Sequence, residues 1–136
     1  MISKSDLQNY RSLVLELEDL KERIIRKESQ ITSARIQVLT GMPRGGNTED
    51  DQMGSVIAAL EEMKNEYVER LIQIESLQLK IETEIKKLGS IERLVIRWRY
   101  FDSLRWNEIC ARLDKSWKQV RLIHERSLRK LAQQNS

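Results

Sequence analysis

The sequence predicts an all-α fold in two parts: a long antiparallel helical hairpin, coiled-coil-like, then a compact C-terminal unit of three short helices. Three observations carry this. Charged residues make up 33% of the 136-residue chain and aromatics only 5%, with 5 Gly and 1 Pro, a mix poor in the β-formers and turn residues that sheets need. Apolar residues recur every seven positions through residues 1–89. Trp98, Trp106, Trp117 and the sole Phe, Phe101, all fall in residues 90–136, where 11 Lys/Arg stand against 5 Asp/Glu; residues 1–89 hold 13 against 16. The expected division is therefore 1–89, a hairpin for oligomerisation or partner docking, and 90–136, a basic module that asks for an anionic partner.

The first arm, about Ser5 to Thr40, has its seam at Tyr10, Leu17, Ile24, Ile31 and Val38, with Leu13, Leu20, Lys27 and Ala34 three residues on. Ser5, or Ser3 with Asp6 in the first turn, can cap it. "TGMPRGGNTEDD" then stops the helix at Gly41 and Pro43, and Thr48 with its acids reads as a fresh start, so a loop is expected near 41–50. Arg44 in that loop is a candidate partner contact. The second arm runs to Leu88 through Met53, Leu60, Tyr67, Ile74 and Ile81, flanked by Ile57, Lys64, Leu71, Gln78 and Ile85. Two arms of about 50 Å, each with one narrow stripe, fold back on each other and leave apolar surface for self-association.

Gly89-Ser90 separates the arm from the module, with Ser90 as the expected cap. The first short helix, about Ile91 to Phe101, is expected to bury Ile91, Leu94, Val95, Trp98 and Phe101. The second, about Arg105 to Leu113, buries Trp106, Ile109, Cys110 and Leu113. The third, about Trp117 to Gln133, buries Val120, Ile123, Ser127, Leu128 and Leu131. Between the last two, the small Cys110 allows a close crossing, Asp114 takes the turn, Ser116 caps, and Val120 and Ile123 anchor the helix beneath. These types at these intervals are those of a trihelical helix-turn-helix.

Catalysis finds no constellation here. One Cys and one His cannot make a zinc site or a triad, and the carboxylates fall on solvated helix faces, so neither an enzyme nor a cofactor is expected. Cys110 reads as a small core residue and His124 as a surface or phosphate-contacting one. No apolar run is long enough to span a bilayer and no leader pattern opens the chain, so a cytoplasmic protein is expected.

With Val120 and Ile123 inside, the helical wheel turns Lys118, Arg121, Leu122 and Glu125 outward. Ser116, Trp117, Lys118, Gln119, Arg121, Leu122 and Glu125 then form the leading end offered to base edges. Arg126, Arg129 and Lys130, with Lys115 and Arg112, are placed for phosphates. Whether Trp117 faces DNA or packs over the turn is open. "IERLVIRWRYFDSLRWNEICARLDKSWKQVRLIHERSLRKL" resembles region 4 of bacterial sigma factors, the promoter-binding module. The long helical remainder is similar to a family of phage- and prophage-encoded sigma-like proteins, akin to late-gene and autolysin regulators.

That resemblance implies sequence-specific transcriptional control by double-stranded DNA binding, with RNA polymerase as a second partner and a homo-oligomer formed through the N-terminal helices. Its base-reading positions fall on Trp117, Lys118 and Leu122, with Arg121 nearer the backbone. Sigma factors usually place Arg, Glu and Gln there, so a different target sequence is implied. Two other functions suit the same parts: a phage small-terminase-like packaging protein, and a polymerase-binding adaptor without DNA contact. Module order, helices first and DNA domain last, favours the regulator.

Overall fold

The computed structural model describes residues 1–39 and 47–133, and the side chains of these except 38 and 47–51. The described residues form helices α1 (Lys4–Leu39), α2 (Asn47–Ile85), α3 (Ser90–Ile96), a π-helical turn (Arg97–Phe101), α4 (Trp106–Leu113) and α5 (Trp117–Ala132). The all-α fold, with a helical pair and a C-terminal helix-turn-helix, is as the sequence predicts. Gly41, Pro43 and Arg44 of the expected loop lie outside the described residues, whereas 47–50 are already helical.

The chain divides into two compact units, Leu15–Gln73 and Met1–Val14 with Ile74–Ser136. In the first, Lys64 meets Glu28 at 2.8 Å and Arg70 meets Glu16 at 3.8 Å, so the partner number on α2 rises as that on α1 falls, an antiparallel pairing. Leu17, Leu20, Ile31 and Leu60 are buried along it, at seam positions. These exposed ion pairs set register more than stability.

In the second unit, α3 packs on α5 and the π-helical turn, and α4 packs on α5. Val95, Ile109 and Val120 form its innermost cluster, covered by Trp98, Leu104, Trp106, Cys110, Leu113 and Ile123. The first turns of α1 belong to the same unit. Ile2, Leu7 and Tyr10 are buried, the Ile2 N–H donates to the Leu131 carbonyl at 2.9 Å, and the Tyr10 ring meets Phe101 edge-on at 5.1 Å. Ser3 and Asp6 start α1 with reciprocal hydrogen bonds, Ser3 N–H to Asp6 Oδ2 at 2.9 Å and Asp6 N–H to Ser3 Oγ at 3.2 Å. Of the two expected caps, Ser3 is used rather than Ser5.

Three expectations about α3 are corrected. Its cap is Gly89, not Ser90, because Glu92 then stands at the third helical position and its Oε1 accepts the Gly89 N–H at 3.0 Å. The expected continuous helix to Phe101 widens after Ile96: the Asp102 N–H donates five residues back to the Arg97 carbonyl at 3.0 Å. The inward face of α3 is also turned from the expected one: Glu92, Val95 and Ile96 are buried, followed by Tyr100, while Ile91, expected inside, is 41% exposed.

Truncating the innermost cluster should be costly, since its cavity has nowhere to collapse. Ile109→Ala is expected to lose about 2–5 kcal/mol of unfolding free energy in denaturant titration. A loss below about 1 kcal/mol would mean that this cluster does not hold the module together.

Candidate nucleic-acid interface

The turn between α4 and α5 is built from backbone requirements. Asp114 adopts the left-handed conformation (φ 52°, ψ 48°), which Asp tolerates better than most residues, and so ends α4. The Lys115 N–H then donates to the Cys110 carbonyl at 3.1 Å. Ser116 Oγ accepts the Gln119 N–H at 3.2 Å while Gln119 Oε1 accepts the Ser116 N–H at 2.9 Å, closing a capping box at the start of α5. The turn, cap and anchors expected at Asp114, Ser116, Val120 and Ile123 are therefore all present.

From that start, α5 presents one exposed face. Trp117 is 55% exposed, and Arg121 stacks over its ring at 5.4 Å. Lys118, Arg121, Leu122 and Glu125 are exposed together, and Arg121 Nε donates to Glu125 Oε1 at 3.2 Å. Arg126 and Arg129 are exposed further along. Ser116 and Gln119 are occupied in capping each other, and the Lys130 ammonium sits 2.8 Å from Glu92 Oε1. The structure thus brings Trp117, Lys118, Arg121, Leu122 and Glu125 to one surface and gives Ser116, Gln119 and Lys130 structural partners as well.

The Glu92–Lys130 contact joins α3 to α5. Burial pushes the Glu92 carboxyl up, but Lys130 and the Gly89 N–H outweigh it and hold the group below its usual range. Arg99 stacks over Trp106 at 4.6 Å and donates to the Leu104 carbonyl at 3.1 Å; Arg112 stacks over Trp98 at 5.2 Å. Three of the module's cations thus flank its three Trp rings.

His124 corrects the reading of a surface residue. It is buried, its Nε2 lies 2.8 Å from the Tyr100 hydroxyl, and the Trp106 ring meets it edge-on at 4.8 Å. Burial, with Lys4 and Arg99 adding repulsion, lowers its pKa from 6.5 to about 4, against a smaller opposing pull from Glu125. Desolvation also raises the Tyr100 pKa. The pair is therefore neutral near pH 7 and braces the π-helical turn against α5 rather than meeting a phosphate. Sequence spacing did carry a signal, since His124 lies four residues after Val120 and three before Ser127, both buried.

With that geometry in view, residues 85–133 match the family model of sigma-70, region 4. This segment is a sigma-70 region 4-like module. The match begins within the last turn of α2 and takes in α3, α4 and α5. At the general level it supports a DNA-binding helix-turn-helix, and region 4 modules bind both DNA and RNA polymerase. No curated protein and no solved structure matches the chain. Among the described residues, no group of His, Cys, Asp and Glu is placed to hold a metal ion, and no helix is long and apolar enough to cross a membrane.

The buried neutral His124 makes the module's stability depend on pH. Its folded pKa lies below the unfolded value, so the unfolded chain binds the extra proton between about pH 6.5 and 4. The contribution is whole above pH 6.5 and falls as pH drops through that window, by about 2 kcal/mol between pH 7.5 and 5. His124→Asn should flatten that dependence in unfolding titrations over this range; an unchanged slope would show that His124 does not titrate on unfolding.

Proposed function

We propose that the protein is a sequence-specific, DNA-binding transcriptional regulator of phage or prophage type, in which α5 enters the major groove and the hairpin helices associate with a second copy. The observation that carries the DNA reading is the exposed cationic and aromatic face of α5, fixed by the Asp114 turn and the Ser116–Gln119 capping box within a region 4-like module. The leading residues Trp117, Lys118, Leu122 and Glu125, with Ser116 and Gln119 at the tip, meet base edges. Arg121, Arg126, Arg129 and Lys130 meet phosphates. Trp117 and Leu122 offer apolar contact, which suits a thymine methyl group, and Lys118 suits a guanine edge. RNA polymerase is the second partner proposed, on the strength of what region 4 modules bind.

Self-association is supported by exposed apolar residues on both helices of the helical unit. Ile25 and Ile36 stand about three turns apart on one face of α1, and Val68 and Ile72 one turn apart on α2, all exposed. Ile72 is 62% exposed. Between Arg23 and Ile36, α1 carries Arg23, Arg26, Lys27 and Arg35 against Glu28, while α2 near Val68 and Ile72 carries Glu61, Glu62, Glu66 and Glu69 against Lys64 and Arg70. A second copy of opposite sense sets one run against the other.

Two experiments test these readings. Lys118→Ala and Arg121→Ala should each weaken duplex binding, and the loss at Arg121 should come with a salt slope lower by about one unit. Unchanged affinity and slope in both would remove the DNA assignment. Separately, Ile25→Glu with Ile72→Glu should convert an oligomer to a monomer in light scattering; a wild-type mass equal to one chain at micromolar concentration would overturn self-association.

A further inference from the structure

Beside the outer face of α5 lies a cleft of about 280 Å³. One wall is α5 itself, through Trp117, Arg121, Glu125 and Leu128; the other is Trp106 at the start of α4 and Lys4 at the start of α1. Three of these residues, Trp117, Arg121 and Glu125, also belong to the face assigned to DNA. The cleft is therefore continuous with that face, and Lys4 stands across from it on a different element.

The position of Lys4 is fixed by its neighbours. Ile2 and Leu7 on either side are buried, the Ile2 N–H is bonded to the Leu131 carbonyl, and the Ser3–Asp6 cap closes the first turn. The Lys4 side chain is exposed and forms no ion pair among the described residues. Its charge is felt in the cleft, where together with Arg99 it disfavours a proton on His124. The groups facing the cleft are thus Lys4 and Arg121, with Arg99 behind Trp106, against one carboxylate, Glu125, which Arg121 already holds at 3.2 Å. The uncompensated charge is positive and each wall carries a Trp ring, which suits a sugar-phosphate strand running along the groove edge.

We propose that Lys4 is a phosphate-contacting residue, so that the first turn of α1 forms part of the DNA interface and the DNA backbone lies along the cleft between Lys4 and Arg121. This rests on the reading of α5 as the DNA-facing helix. It adds to that reading a contact from the opposite end of the sequence, in a position that a helix-turn-helix segment by itself does not supply.

The test compares wild-type, Lys4→Gln and Lys4→Arg full-length chains across a salt series. Two probes are used: a duplex selected by the wild type from a random pool, and a random duplex. Lys4→Gln should weaken both duplexes by the same factor and lower the salt slope by about one unit, while Lys4→Arg keeps affinity and slope. Lys118→Ala serves as the reference for the α5 face. Weakened binding by Lys118→Ala with Lys4→Gln equal to wild type overturns the inference and leaves the α5 reading standing. A changed sequence preference in Lys4→Gln overturns the assignment to phosphate. Wild-type chain without salt-dependent duplex binding overturns the α5 reading and this inference together. Because Lys4 is exposed, an unchanged unfolding midpoint is expected for Lys4→Gln and excludes misfolding as the cause of any loss.

Discussion

Everything that this protein offers to a partner through α5 depends on one backbone constraint, the left-handed residue at Asp114 followed at once by the Ser116–Gln119 capping box. The chain must leave α4 and begin α5 within three residues, and only a positive φ lets the Lys115 N–H turn back to Cys110. The cap then satisfies donors that would otherwise be orphaned at the start of α5. Direction follows from that corner. Val120 falls on the Val95–Ile109 cluster, and once that residue is inside, Lys118, Arg121, Leu122 and Glu125 have only the outside left.

A second constraint keeps the corner rigid from behind. The π-helical turn places Tyr100 within hydrogen-bond distance of His124, and the Glu92–Lys130 pair ties α3 to the far end of α5. Tyr100 and His124 are both buried, and Glu92 is buried beside a half-exposed Lys130, so loss of one partner leaves a buried polar group unsatisfied. None of the four side chains in these pairs needs to touch a ligand for the exposed face of α5 to depend on it. The exposed ion pairs of the helical unit are of another kind, since water competes for them and they align the arms more than they hold them.

Much of this was legible in the residues themselves. Helix ends near residues 4, 39, 113 and 117 follow from caps, breakers and periodicity, and the turn at Asp114 with its Ser116 cap was readable from residue types at fixed offsets. What escaped has common physical causes. A π-helical turn leaves no mark in a hydrophobic period, so the widening at Arg97–Phe101 was hidden, and α3 turns Glu92 and Ile96 inward because Glu92 binds the Gly89 N–H and Lys130. His124 is polar by type, yet it stands in line with buried Val120 and Ser127, and its partner Tyr100 lies 24 residues away. The burial of Ile2, Leu7 and Tyr10 within the C-terminal unit joins segments from opposite ends of the sequence, a pairing that no local pattern encodes.

The central claim is that α5 is the surface that meets DNA. The most direct measurement is a backbone amide chemical-shift map of the full chain, recorded while a duplex selected from a random pool is titrated in. The account predicts that the largest changes run from Ser116 to Arg129, with a separate set at the first turn of α1 around Lys4. Changes confined to α2, or to the buried side of α5 at Val120, Ser127 and Leu131 with its outer face unmoved, would contradict it.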